Sequence, residues 1–259
     1  MRAAFERGLA EKRIIIVGSA TGIGAATARR LALEGAKVVC ADINIDGAER
    51  LARYIQDQGG TAEPVFLDVA DTRSITKAIK TAQALWQGLD GAHLNAADLR
   101  IIFQDSDAEH LTEEVFERTV DVNLKGQWLC TQALIPILRH SQGTLVYTSS
   151  AAALAGEPER PAYAMSKSGL QALMRHVASR WGCEGIRANC IAPGFVLTPE
   201  MEASGNLSPE LLRHIRQGTR STRLGTPEDI AACAAFLFSD DGVWINGQVL
   251  HVNGGALMP

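Results

Sequence analysis

Short apolar runs alternate along this chain with longer segments of helical periodicity. Arg13–Val17 (RIIIV) is β-branched and apolar, which predicts a strand covered on both faces. Ile23–Glu34 follows as a helix with apolar positions at Ala26, Ala28, Leu31 and Leu33, stopped by Gly35. The unit then recurs. Val38–Ala41 predicts a strand and Gly47–Gln58 a helix. Val65–Leu67 predicts a third strand and Arg73–Gln87 its helix. His93-Leu94 predicts a short fourth strand, and Glu113–His140 one long helix with Pro136 near its end. Thr144–Ser149 predicts a fifth strand, Ala162–Trp181 a second long helix and Arg187–Ala192 a sixth strand. Pro227–Phe238 predicts a helix opened by proline and two acids, and Gln248–Val252 a last strand.

Such strict alternation predicts an α/β protein: a doubly wound parallel sheet of about seven strands with helices on both faces. No linker, repeat or low-complexity tract interrupts the pattern, so residues 1–259 are expected to form a single domain. Residues 195–220 break the rhythm with Pro199, Gly205 and Pro209. An insertion behind the carboxyl end of a strand is where an open α/β sheet builds its ligand crevice.

Composition narrows the function classes. Hydrophobic residues make up 46% and charged residues 21%, which excludes a disordered or fibrous chain. The net charge is −4, so no general basic field exists to hold nucleic acid or an anionic membrane. The N-terminal stretch MRAAFERGLAEKR lacks the apolar core of a signal peptide, and no run reaches the roughly 18 apolar residues that span a bilayer. Cys40, Cys130, Cys183, Cys190 and Cys233 are widely spaced with no CxxC, so no disulfide framework is expected and a cytoplasmic location is. The six histidines show no HxxH or HExxH, and no metal site is expected. The 24 glycines, set against 5% aromatics, point to close approaches of backbone to backbone or to a ligand.

Three of those glycines sit where such an approach has a use. The first strand runs into Val17-Gly18-Ser19-Ala20-Thr21-Gly22-Ile23-Gly24, a Gly-x3-Gly-x-Gly turn that opens a helix. Missing side chains let a diphosphate reach the backbone, and the helix start offers free N–H groups at its positive end. Asp42 ends the second strand. A carboxylate there can accept hydrogen bonds from both adenosine ribose hydroxyls and repels a 2′-phosphate. Neither the glycine loop nor Ile43 and Asn44 supply Arg or Lys, so the expected cofactor is NAD rather than NADP.

Proton-transfer chemistry is concentrated in the segment SAAALAGEPERPAYAMSK, Ser150–Lys167. Tyr163 and Lys167 lie four apart on one helix face, and Ser150 stands at a strand end thirteen residues before the tyrosine. A phenol with a pKa near 10 is too weakly acidic to act as a base at neutral pH, and a neighbouring ammonium is expected to lower it. Tyr163 would then exchange the proton of a carbonyl or alcohol oxygen that Ser150 holds.

With these motifs in place, the chain resembles a classical short-chain dehydrogenase/reductase over about residues 11–255. The GxxxGxG loop is Gly18, Gly22 and Gly24, with Thr21 and Ile23 between them. Leu67-Asp68-Val69 is similar to the family's adenine-contacting segment, and Asn95 in LNAA stands where the family has NNAG. Asn123 in DVNLKG is similar to the asparagine that kinks the long helix and holds a relay water. Ser150, Tyr163 and Lys167 are similar to the catalytic trio. Pro193-Gly194-Phe195-Val196-Leu197-Thr198 is similar to the PGxxxT segment at the nicotinamide end, and NGQVLHVNGG resembles the family's closing motif. The resemblance implies catalytic roles for Asn123, Ser150, Tyr163 and Lys167. It implies cofactor contacts at Gly18, Thr21, Gly22, Ile23, Gly24, Asp42, Asp68, Val69, Asn95, Tyr163, Lys167, Pro193, Gly194, Val196 and Thr198. The chain departs from the pattern at Val17, Leu94, Ala97 and Asn246, none of them catalytic.

The implied reaction is NAD-dependent interconversion of a small-molecule secondary alcohol and its ketone. The resemblance further implies a homotetramer or dimer. Two other readings stand beside it: a ketoreductase for 3-oxoacyl thioesters on an acyl carrier, and a dinucleotide-binding protein without turnover. Leu154, Phe195, Met201 and Leu207, near Ala151–Arg160 and Pro199–Ile215, point to an apolar or cyclic substrate.

Overall fold

The isoleucines of the first strand set the layers of the molecule. In the computed structural model, which describes residues 7–203 and 207–259, β1 (Arg13–Val17) turns Ile15 and Val17 to one face of a sheet and Ile14 and Ile16 to the other. In β2 (Lys37–Asp42), Val39 and Ala41 join the first face and Val38 and Cys40 the second. A strand with apolar residues at every position needs cover on both sides. On one side α1 (Gly22–Leu33) and α2 (Ile45–Asp57) contribute Leu31 and Leu51. On the other, α3 (Thr72–Trp86) contributes Ile79.

The remaining elements follow in the order β3 (Thr61–Phe66), β4 (Gly91–Leu94), α4 (Glu113–Val120), α5 (Gly126–Ser141), β5 (Thr144–Thr148), α6 (Pro161–Trp181), β6 (Arg187–Pro193), α7 (Pro199–Ala203), α8 (Pro209–Gly218), α9 (Pro227–Phe238) and β7 (Val249–Val252). All seven strands pair in parallel in the order β3-β2-β1-β4-β5-β6-β7. The α/β doubly wound architecture expected from the alternation is the one observed. Leu237 of α9 joins α1 and α2 in the core on one face, while Leu134 of α5 and Leu170 of α6 join α3 in the core on the other. The order reverses between β1 and β4, and a crevice opens at the carboxyl ends of such neighbours.

Three differences from the sequence expectations have local causes. The strand expected at Val65–Leu67 begins at Thr61 and includes Glu63 and Pro64. It is an edge strand, where a proline without N–H costs no ladder bond and polar residues meet water. The single long helix is α4 and α5 joined through a π-helical turn, Asp121–Lys125, whose wider ring re-aims the side chains it carries. The insertion folds as α7 and α8; Gly205 and residues 1–6 of the N-terminal stretch lie outside the described residues. Among the described residues no helix is long and apolar enough to cross a membrane.

Candidate active site

The β1–α1 turn is shaped for an anionic ligand. Gly18 has φ +83, and a Cβ there would lie 2.6 Å from the Ala96 Cα. A Cβ on Gly24 would overlap the Gly18 carbonyl. Only bare backbone fits both positions. Thr21 precedes the helix without a side-chain cap, and the first turn of α1 carries no acid. The free N–H groups and the positive helix end are therefore available to a diphosphate. This cradle, which any Cβ would fill, is the structural ground for fitting a dinucleotide here.

Asn95 latches that loop. Its Nδ2 donates to the Gly18 carbonyl at 2.9 Å, and its Oδ1 accepts from the Thr148 hydroxyl at 2.9 Å. The Thr148 Oγ1 also lies 2.8 Å from His93 Nε2. A hydroxyl has one hydrogen, and here it goes to Asn95, so His93 must donate from Nε2. Burial, with a smaller contribution from the Lys167 charge, pushes the His93 pKa down to about 3, which keeps the ring neutral. The Asn95 amide is thus bonded to the protein at both ends, with one N–H and one lone pair left over.

Asp42 closes the nucleotide side. Its carboxylate accepts the Ala20 N–H at 2.8 Å and the Asn44 N–H at 2.8 Å. Two bonds leave acceptor capacity on a carboxylate, which offers about four lone-pair sites. Asp68 follows β3; its Oδ1 accepts the Ala70 N–H at 2.9 Å and its own N–H donates to Ser74 Oγ at 2.9 Å. Val69 is buried, and its carbonyl lies so close to Gly126 that a Cβ there would stand 2.5 Å away.

The candidate reacting groups come from the next strand and helix. Beyond β5, Ser150 is extended and opens a short 3-10 turn, Ala151–Ala153, where its Oγ accepts the Ala152 N–H at 3.1 Å. Tyr163 and Lys167 stand one turn apart on α6. The Tyr163 phenol lies beside Ser150, which favours its ionised form, and Lys167 Nζ lies 5.6 Å from the centroid of the tyrosine ring. Lys167 is 2% exposed and donates to the Thr148 carbonyl at 2.9 Å. Burial lowers its pKa to about 8.

The phenol departs from expectation. Its pKa is raised, chiefly by burial, against the opposing influence of Ser150 and the charge of Arg160, while Glu157 adds to the rise. In this state the desolvation of the phenolate outweighs both. Asn123 lies in the π turn, fully buried. Its Oδ1 accepts the Asp98 N–H at 2.8 Å, and its Nδ2 is a buried donor without a partner among the described residues.

The segment after β6 crosses the glycine loop. Pro193 ends β6, Gly194 donates to the Val252 carbonyl at 3.1 Å, and Val196 bridges to Gly225. Thr198 lies 3.5 Å, by its methyl, from where a Gly22 Cβ would stand, and its Oγ1 accepts the Met201 N–H. A cleft of about 770 Å³ lies between Ala20, Thr21 and Gly22 on one side and Leu197, Pro199, Glu200 and Leu212 on the other. Ile23, next to Gly22, packs at the edge of the α1–α9 core.

Two functional neighbours escaped the sequence reading. Asp98, 3% exposed in its side chain, pairs with Arg100 at 2.9 Å and Arg118 at 3.0 Å, and hydrogen bonds from Arg100 lead in lowering its pKa to about 2. Asp105 is 2% exposed and touches α6. Both sit in a loop without helical or strand periodicity or motif; an acid soon after Asn95 was the available signal.

A cradle for a nucleotide diphosphate and a proton-transfer group on the same sheet edge are the two requirements of a dinucleotide-linked oxidoreductase. The comparisons agree. The family described as Enoyl-(Acyl carrier protein) reductase matches residues 18–256. A 7alpha-hydroxysteroid dehydrogenase of Bacteroides fragilis is 32% identical over 94% of this chain and 93% of its own. Levodione reductase of Leifsonia aquatica is 33% identical over 95% of this chain and 94% of its own. A solved 3-ketoacyl-(acyl-carrier-protein) reductase from Brucella melitensis, complexed with NADH, superposes with a TM-score of 0.87 at 28% identity, covering 97% of this chain and 100% of that one. The chain belongs to the short-chain dehydrogenase/reductase family of oxidoreductases.

Proposed function

We propose that this protein interconverts a secondary alcohol and its ketone with NAD(H) as cofactor. The observation that carries the reading is the Tyr163 phenol, set beside Ser150 and one helical turn from Lys167, next to a glycine loop built for a diphosphate. Gly18, Gly22 and Gly24, with Thr21 and Ile23, would hold the diphosphate, and Asp42 the adenosine ribose. Asp68 and Val69 border the adenine end, and Pro193, Gly194, Val196 and Thr198 the nicotinamide end. When bound, the dinucleotide supplies hydride transfer and, oxidised, a positive charge. Asn95 keeps the loop in shape through its bond to the Gly18 carbonyl.

Ser150 orients the substrate oxygen. Tyr163 donates a proton to that oxygen during ketone reduction and accepts one during alcohol oxidation. Its raised pKa suits the donor role in the cofactor-free protein. Lys167 lies beside the phenol and takes part in moving the proton outward. Asn123, with an unpartnered buried Nδ2, is suited to holding a water on that route.

Asp42 supports NAD over NADP. A steroid hydroxyl and a dione, named in two relatives, support a cyclic substrate. A second reading, a ketoreductase for 3-oxoacyl thioesters, is favoured by the Brucella melitensis relative's name. Five free thiols among the described residues support a reducing cytoplasm, and light scattering would test the implied dimer or tetramer.

The deciding experiment screens cyclic ketones and a 3-oxoacyl thioester for NADH oxidation, with Tyr163→Phe beside the wild type. Loss of about 10²-fold or more in kcat with NADH binding intact supports the reading. Near-normal turnover in Tyr163→Phe refutes it, and binding without turnover of any substrate leaves the dinucleotide-binding alternative.

A further inference from the structure

The catalytic helix begins without a cap of its own. Arg160, the residue before α6, sits in the left-handed region at φ +67 and offers no side-chain bond to the helix start. Pro161 has no N–H, and the first turn contains no acid. The first two free donors are the amides of Ala162 and Tyr163. Both point to one residue from another part of the chain: Asp105 Oδ1 accepts from Ala162 at 3.2 Å, and Oδ2 from Tyr163 at 2.7 Å. The return contact is equally specific, because the Arg160 N–H donates to the carbonyls of Asp105 and Ser106, each at 3.0 Å. A buried carboxylate on the positive end of a helix makes strong, charge-assisted bonds.

We propose that Asp105 is the positioning residue of the catalytic tyrosine. This rests on the assignment of Tyr163 as the proton-transfer group. The shorter of the two bonds is to the backbone of Tyr163 itself, so Asp105 sets where that residue enters the helix. Ser150 arrives beside the phenol from the end of β5, a different element, so the two must be registered independently. The loop that carries Asp105 also begins at Asn95, the latch of the glycine loop, and passes through Asp98, whose N–H holds Asn123. One loop thereby ties the nucleotide cradle, the π turn and the catalytic helix into a single frame. It also holds Arg160 in a conformation that a non-glycine residue adopts at a cost.

The test uses the full chain with Asp105→Ala and Asp105→Asn, and Asp71→Ala as a control that removes the cap of α3. The first readout needs no substrate: amide hydrogen exchange at Ala162 and Tyr163. Asp105→Ala should speed exchange there at least tenfold while Asp71→Ala leaves it unchanged. The second readout is turnover with the best ketone of the screen. A misplacement near 1 Å costs up to about 10²-fold, so kcat should fall ten- to a hundredfold in Asp105→Ala. It should fall less in Asp105→Asn, which keeps one acceptor, with KM for NADH within twofold in both. Should Asp105→Ala not fold, Asp105→Asn carries both measurements.

Unchanged exchange at Tyr163 overturns the proposal. So does faster exchange with a kcat no lower than that of Asp71→Ala, which would reduce Asp105 to a helix cap. Retained turnover in Tyr163→Phe instead overturns the functional reading beneath it.

Discussion

Replacing Lys167 by methionine should make the cofactor-free protein more stable at neutral pH while abolishing its turnover. The ammonium is 2% exposed and donates to a neutral acceptor, the Thr148 carbonyl. Burial brings its pKa from the ordinary 10.5 to about 8, a cost to the folded state of about 3 kcal/mol at about 1.4 kcal/mol per tenfold. Methionine keeps the apolar stem and drops the charge. It also leaves the Thr148 carbonyl without its donor, which costs about 1–2 kcal/mol. The difference predicts a gain of about 1–2 kcal/mol at pH 7.

The sign with pH distinguishes this from a packing effect. Below pH 8 the lysine is protonated in both folded and unfolded chains, and the wild type carries the whole cost. Between pH 8 and 10.5 the folded chain releases the proton while the unfolded chain keeps it, so the wild type gains stability as pH rises. The advantage of Lys167→Met should therefore shrink and then reverse. Urea unfolding of both proteins without dinucleotide at pH 7, 9 and 10 measures it. A stability difference that stays constant from pH 7 to 10 refutes the reasoning.

Two further perturbations test the nucleotide side. Gly24→Ala forces a Cβ into the Gly18 carbonyl; NADH affinity, followed by fluorescence, should fall more than tenfold, and unaltered binding would show that the loop yields. Asp42→Ala removes the carboxylate that would meet a 2′-phosphate, so the ratio of kcat/KM for NAD over NADP should drop at least tenfold, and an unchanged ratio would place cofactor choice elsewhere.

Much of the molecule could be read locally. The RIIIV run announces a strand buried on both faces because its four positions after the arginine are all apolar, and β1 has Ile14 through Val17 buried. The Gly-x3-Gly-x-Gly spacing announces its turn because only glycine tolerates the backbone it requires. Tyr163 and Lys167 share a face because they lie four apart on a helix. These features are properties of neighbouring residues, and the chain alone determines them: the α/β alternation, the glycine turn and the Tyr163–Lys167 pair.

Other features arise only when distant residues meet. Asp105 reaches Tyr163 across 58 positions, and nothing near Asp105 in sequence marks it as the cap of that helix. The Asn95 amide became a latch because β5 placed the Thr148 hydroxyl beside it. The rise in the Tyr163 pKa and the fall in that of Lys167 come mainly from desolvation. The sequence by itself determined which groups could do the chemistry. The tertiary structure decided how they are aimed and how much their charges cost, because burial and long-range hydrogen bonds depend on which segments the fold brings together.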